Sequence, residues 1–284
     1  MTKSDKVCLV LEGGGMRGLY TAGVLDSFLD NDIKIDTIIG VSAGVLFGVN
    51  YVSKQRGRTL RYNTKYITDK RYISLLSLIK TGNVINKEFA YYKMSKELDK
   101  FDNETFKKSN TKFYATVTNV ETGLAEHIPF KDAFKEMELL RATSSLPFVS
   151  KIVEYNGEKY LDGGVSDSIP IKKALSLGFD KIVVVLTRPK GYRKEKQNML
   201  LEKTYYRKYP NLLKTMENRY KDYNNTLDFL EKLEKDGKVF IIRPSKLVKI
   251  KRLEKNKEKL EEMYNLGFLN SNSNIEKLKE YINM

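Results

Sequence analysis

The chain has 284 residues, 41% of them hydrophobic and 31% charged, a balance that excludes a disordered chain and allows a core without disulfide staples. A single cysteine, Cys8, excludes an internal disulfide and fits a reducing compartment. Every apolar run is strand-sized, far below the ~20 residues of a membrane span. Met1 to Lys6 is polar and the apolar stretch after it stops at Glu12, so no signal peptide is expected and the expected location is cytoplasmic. The net charge of +15 is unevenly placed: residues 188–284 carry 24 Lys/Arg against 14 Asp/Glu, and the first 187 carry 27 against 22. Such an excess suits phosphates on nucleic acid or on an anionic lipid surface, or simply a solvated exterior.

In chain order, 6–11 reads as a short buried strand in which Cys8 is a packing residue, 19–29 as a helix with apolar residues at helical spacing, and 35–39 as a second strand. Strand, glycine turn, helix, strand is a βαβ unit and implies a parallel sheet. A helix-compatible segment follows over 45–52. A long helical stretch is expected from about 58 to 100, broken at 81–83. Strands are expected at 112–117 and 124–128, then a helix over 132–143. Asn156-Gly157 marks a hairpin between 152–154 and 159–161, and 182–186 is the most strand-like segment. Beyond residue 188 comes a basic loop, helical periodicity over most of 199–235, one strand near 239–242, and closing helices at about 250–264 and 273–282. Two domains are expected: a catalytic one over 6–187 and a basic, mostly helical extension over 188–284.

Three motifs carry chemistry. Gly40-Val41-Ser42-Ala43-Gly44 lies between a strand and a helix, the setting of a nucleophile elbow, where small neighbours allow a strained turn that presents the serine hydroxyl. Gly13-Gly14-Gly15-Met16-Arg17-Gly18 follows the first strand and opens a helix. Backbone N–H groups there suit an oxyanion hole, and the spacing also fits a dinucleotide fingerprint. The fingerprint needs an acid at the end of the next strand, whereas Asp36 stands near its beginning and Ser42 occupies the end. A phosphate-binding P-loop is excluded because Leu19 follows Gly18. The third motif is Asp162-Gly163-Gly164, which alone reads first as a plain turn.

The chain contains one histidine, His127, at the end of an expected strand and ahead of the only strong acid motif, the reverse of the Ser, acid, His order of α/β-hydrolases. His127 therefore reads as structural, and Asp162 is the better candidate base. A carboxylate in a partly desolvated cleft gains basicity over its ordinary ~3.9.

Together the three motifs resemble the patatin-like phospholipase family, in its bacterial branch. Residues 141–148 (RATSSLPF), 118–123 (TNVETG), 185–189 and 242–244 look similar as well, so the resemblance covers most of the chain. It implies a three-layer α/β/α sandwich on a mainly parallel sheet with a helical C-terminal portion, and a Ser–Asp dyad with no metal or organic cofactor. Ser42 would be the nucleophile and Asp162 the base, with backbone N–H groups of Gly14, Gly15 and Met16 as the oxyanion hole. Arg17 would bind a lipid phosphate or pair with a nearby carboxylate. The implied reaction is hydrolysis of a carboxylic ester in a phospholipid or other lipid through an acyl-enzyme, with peripheral contact at an anionic membrane and no nucleic acid partner. The alternative is a basic binding or regulatory protein at membranes or nucleic acid, its hydrolytic site vestigial.

Overall fold

The computed structural model describes residues 6–283. Eight strands form one sheet: β1 (Val7–Leu11), β2 (Thr37–Val41), β3 (Lys112–Asn119), β4 (Ala125–Phe130), β5 (Val153–Tyr155), β6 (Glu158–Asp162), β7 (Lys181–Val185) and β8 (Val239–Ile242). Strands β3, β2, β1, β7 and β8 lie side by side in that order, all parallel. Every residue of β1 and β2 is buried, as expected of parallel strands covered on both faces.

The helices supply that cover. They are α1 (Leu19–Asp30), α2 (Ala43–Val52), α3 (Arg58–Tyr66), α4 (Leu75–Thr81), α5 (Asn103–Lys108), α6 (Met137–Thr143), α7 (Ile171–Ser176), α8 (Leu200–Tyr205), α9 (Pro210–Lys235), α10 (Lys257–Ser273) and α11 (Ile275–Asn283), with a π-helical segment over Glu88–Leu98. Because side chains alternate along a strand, Leu9 and Leu11 face a core shared with α1, α2 and α10. Cys8 and Val10 face a second core built with α7 and α9. Helices therefore lie on both faces of a mostly parallel sheet, in the expected three layers. No helix among the described residues is long and apolar enough to cross a membrane.

The 58–100 stretch is more broken than expected. Ile73 bridges to Ile85, Ser74 caps α4 by accepting from the Ser77 N–H, and the left-handed Gly82 ends it. The helical periodicity expected over most of 199–235 is realised as α8 and α9, the latter starting at Pro210, where a missing N–H does no harm. The helix expected from 250 starts instead at Lys257, because Asn256 accepts from the Lys259 N–H and sets the cap. The hairpin turn is as expected, with Asn156 and Gly157 both at positive φ.

Strand β3 is the longest, and its pairing positions the site. Its residues 113–118 pair with β4 on one edge. The other edge is divided: β2 covers 112–116 and β6 covers 117–119. Val41 lies opposite Thr116 and Asp162 opposite Val117, so β2 and the antiparallel β6 meet end to end along one edge.

Candidate active site

That junction brings Ser42 to Asp162. Ser42 Oγ donates to Asp162 Oδ2 at 2.6 Å across 120 residues of sequence, and both side chains are buried. Ser42 has φ 54° and ψ −120°, a strained backbone for a side chain with a Cβ, costing about 1–3 kcal/mol. Its surroundings hold it there. The Ser42 N–H donates to Thr143 Oγ1 (3.0 Å), whose own hydroxyl donates to the Thr116 carbonyl (2.6 Å). The Ser42 carbonyl accepts from Val45 and Leu46 and so opens α2.

Asp162 is equally fixed. Its Oδ1 accepts from the Gly164 N–H (2.7 Å), its N–H donates to the Ser145 carbonyl (2.9 Å), and its carbonyl accepts from Thr118 Oγ1 (2.9 Å). Burial raises the Asp162 pKa. The hydrogen bonds from Ser42 and Gly164 and the charges of Arg219 and Arg252 oppose that shift without cancelling it.

The glycine turn closes the site from the end of β1. Gly13, Gly14 and Gly15 line the same pocket as Ser42 and Asp162, while Gly18 packs on Ala43. Gly15 has φ +57°, and a Cβ there would stand 2.6 Å from the Arg252 carbonyl, so no other residue fits. The Met16 N–H donates to that carbonyl at 2.9 Å. Met16, expected to help bind an oxyanion, thus has its donor already engaged. No hydrogen bond from the Gly14 or Gly15 N–H is formed among the described residues, and both residues line the pocket. At the far end of the strand, Asp36 accepts from the Val7 N–H, well away from this strand-end pocket.

The remaining motif residues serve packing: Gly40 and Gly44 flank Ser42 against α2 and the end of β1, and Gly163 lies on the Thr116 carbonyl. His127 sits outside the pocket, its Nε2 3.1 Å from Asp167 Oδ2. Cys8 is buried in the sheet, its thiol pushed up to about 12 by that burial. Among the described residues Arg17 enters no ion pair within 4 Å and its Nε is buried without a hydrogen-bond partner, while the Glu12 carboxylate is near enough to favour its charge.

The pocket has a volume of about 260 Å³. Several of its residues escaped sequence reading. Glu12, at the end of β1, accepts from Thr187 N and Oγ1 and from the Tyr223 hydroxyl. Arg188, Lys194, Arg219 and Arg252 contribute charge, and Arg219 Nε donates to the Gly164 carbonyl at 2.6 Å. Glu12 could have been noticed as a carboxylate directly before a glycine run. The others lie in basic segments with no local pattern to set them apart.

The model of a family described as patatin-like phospholipase matches residues 9–175, and that of a domain of unknown function, DUF6363, matches 209–283. The uncharacterized protein YjjU of Escherichia coli is 28% identical over 275 residues, covering 93% of this chain and 75% of YjjU. Lysophospholipase NTE1 of Coccidioides immitis is 28% identical over 63% of this chain, which spans only 11% of that much longer protein. The probable lipid hydrolase 463L of Invertebrate iridescent virus 6 is 27% identical over 59% of this chain and 62% of its own. Among solved structures, VipD from Legionella pneumophila is similar over 94% of this chain and 67% of its own, at a TM-score of 0.41 and 11% identity. The family match at 9–175 spans more than half of the residues, and the chain belongs to the patatin-like phospholipase family.

Proposed function

We propose that the chain hydrolyses a carboxylic ester of a lipid, with Ser42 as nucleophile and Asp162 as its base. The observation that carries this reading is the 2.6 Å hydrogen bond from Ser42 Oγ to a buried carboxylate. Lysophospholipase and lipid hydrolase relatives support the lipid substrate. As Oγ attacks the ester carbonyl, its proton passes to Asp162 Oδ2, and the developing oxyanion is met by the Gly14 and Gly15 N–H groups. Collapse of the tetrahedral intermediate expels the alcohol, which takes the proton from Asp162 and leaves an acyl-Ser42. Asp162 then draws a proton from water, which attacks the acyl group; Asp162 returns that proton to the departing Ser42 Oγ as the carboxylic acid leaves. Burial makes Asp162 a stronger base than a solvated carboxylate, which this cycle needs in place of an imidazole.

A fluorophosphonate probe tests the reading, because only an activated serine reacts with it. Labelling should fall on Ser42, vanish in Ser42→Ala, and persist in His127→Ala, since His127 pairs with Asp167 outside the pocket. Labelling that disappears with His127 would sink the dyad.

The pH dependence has a defined sign. The cycle requires ionised Asp162, and its pKa is raised. Ester turnover should therefore fall with acidification, and kcat/KM should be half lost at a pH above the ordinary aspartate value of ~3.9. An acid limb at or below that value would contradict the assignment of Asp162 as base.

A further inference from the structure

The walls of the pocket carry an excess of positive charge that the dyad does not use. Five cationic side chains line it, Arg17, Arg188, Lys194, Arg219 and Arg252, against the carboxylates Glu12 and Asp162. The carboxylates offset part of this charge, Glu12 at Arg17 and Lys194 and Asp162 at Arg219, and leave an excess. Glu12 is engaged by Thr187 and Tyr223, and Asp162 by Ser42 and Gly164. The chain has twelve arginines, and seven of them form ion pairs elsewhere. Of the five that form none among the described residues, four line this one pocket. All five basic side chains are half-buried, where a charge without an opposite partner is costly unless a counter-anion arrives.

Burial and, after it, mutual repulsion disfavour their charged forms. Burial, then the charges of Arg188 and Arg252, lower the Arg17 pKa to about 10. Burial, then Arg219, bring the Lys194 amine down to about 6, with its Nζ lying 3.9 Å from the centre of the Tyr223 ring. An anion entering this space would relieve the repulsion and restore the Lys194 proton. Leu146 is the one aliphatic side chain among the lining residues, so the space suits a polar headgroup and not an acyl chain. Four of the five cations come from residue 188 onward, and Arg219 and Arg252 lie within the matched domain of unknown function.

We propose that the four pocket arginines, together with Lys194, form a subsite for a phosphate monoester dianion, placing the headgroup of an acylated glycerol phosphate beside the ester that Ser42 attacks. The proposal rests on the hydrolase reading for its substrate but not for its anion. A monoester carries about −1.5 to −2 charges at neutral pH, whereas a choline phosphodiester carries no net charge and leaves the cations unrelieved. In this view the C-terminal portion selects the substrate by turning part of its basic charge into the pocket.

Calorimetric titration of the full chain with glycerol 3-phosphate and with glycerophosphocholine tests the subsite without any turnover. Glycerol 3-phosphate should bind about tenfold tighter or better, equivalent to about 1.4 kcal/mol. Arg188→Gln and Arg252→Gln should each weaken it about tenfold, and Ser42→Ala should not. In parallel, kcat/KM for a 1-acylglycerol 3-phosphate should exceed that for the matching choline lysolipid. Equal binding of the two glycerol compounds, or binding indifferent to both arginine variants, would overturn the dianion subsite. Ester turnover without monoester preference would overturn it too, while leaving the hydrolase intact. Tight glycerol 3-phosphate binding in a protein that cleaves no ester would instead support the subsite and remove the hydrolase reading.

Discussion

Asp162→Asn should lower kcat/KM for any ester substrate by about 10⁴-fold, the scale on which losing one member of a hydrolytic serine site is felt. The reason is the identity of one atom. An asparagine in place of Asp162 can keep its carbonyl on the Gly164 N–H, where Asp162 Oδ1 now accepts at 2.7 Å. Its amide nitrogen then faces Ser42 Oγ and donates where the carboxylate accepted, so the serine proton has nowhere to go. Stability should move the other way. A carboxylate whose folded pKa lies above its unfolded value binds its proton more tightly in the native state. It therefore favours folding at low pH and opposes it once pH rises through the folded pKa. Burial raises Asp162 in this sense, and at pH 7 the neutral amide should leave the melting temperature unchanged or higher. Inactivity together with a stable fold is the expected pair of results. Full activity in Asp162→Asn, or inactivity caused only by unfolding, would count against the dyad.

Gly267→Ala should destabilise the protein by about 3 kcal/mol, against the usual direction of the substitution. In an ordinary helix interior, alanine is better than glycine by about 1 kcal/mol. Helices α1 and α10, however, meet backbone to backbone. A Cβ on Gly267 would stand 2.0 Å from the Tyr20 carbonyl, and one on Gly23 would stand 2.1 Å from the Tyr264 carbonyl. Such overlap can be relieved only by moving one helix off the other, which strips contacts from the core they share and costs about 1–3 kcal/mol or more. The buried Tyr264 hydroxyl bond to Asp26, at 2.6 Å, would be disturbed by the same shift. Urea unfolding should show the loss as a lower midpoint with little change in slope. A midpoint at or above the wild-type value would mean that the crossing yields easily.

Much of the architecture was legible because it is encoded locally. The runs at 6–11, 35–39 and 182–186 appear as β1, β2 and β7 within one or two residues. Short apolar segments bounded by glycine turns have few alternatives. Ser42 and Asp162 were both legible from small-residue motifs, and the single, badly placed histidine narrowed the choice of base. What holds the pair together was not legible. Thr143 supports Ser42 from 101 residues away, and the abutment of β2 and β6 depends on the register of β3, which periodicity does not reveal. The cations of the pocket escaped for a related reason. Arg219 on α9 and Arg252 in a loop look like any other residue of a solvated basic surface until the sheet brings their backbones to one end.

The carbonyl of Arg252 has a bearing on how the protein matures. The patatin-like match ends at residue 175, so a chain severed there would still contain the elbow serine and its aspartate. It would lack β7, which flanks β1 over five paired residues, and the carbonyl that seats the Met16 N–H beneath the glycine turn. During synthesis, Ser42 and Asp162 emerge well before that carbonyl does. On the proposed reading, the glycine turn beside Ser42 is completed from outside the patatin-like match, and hydrolysis would begin only once the segment through Arg252 has been made and docked.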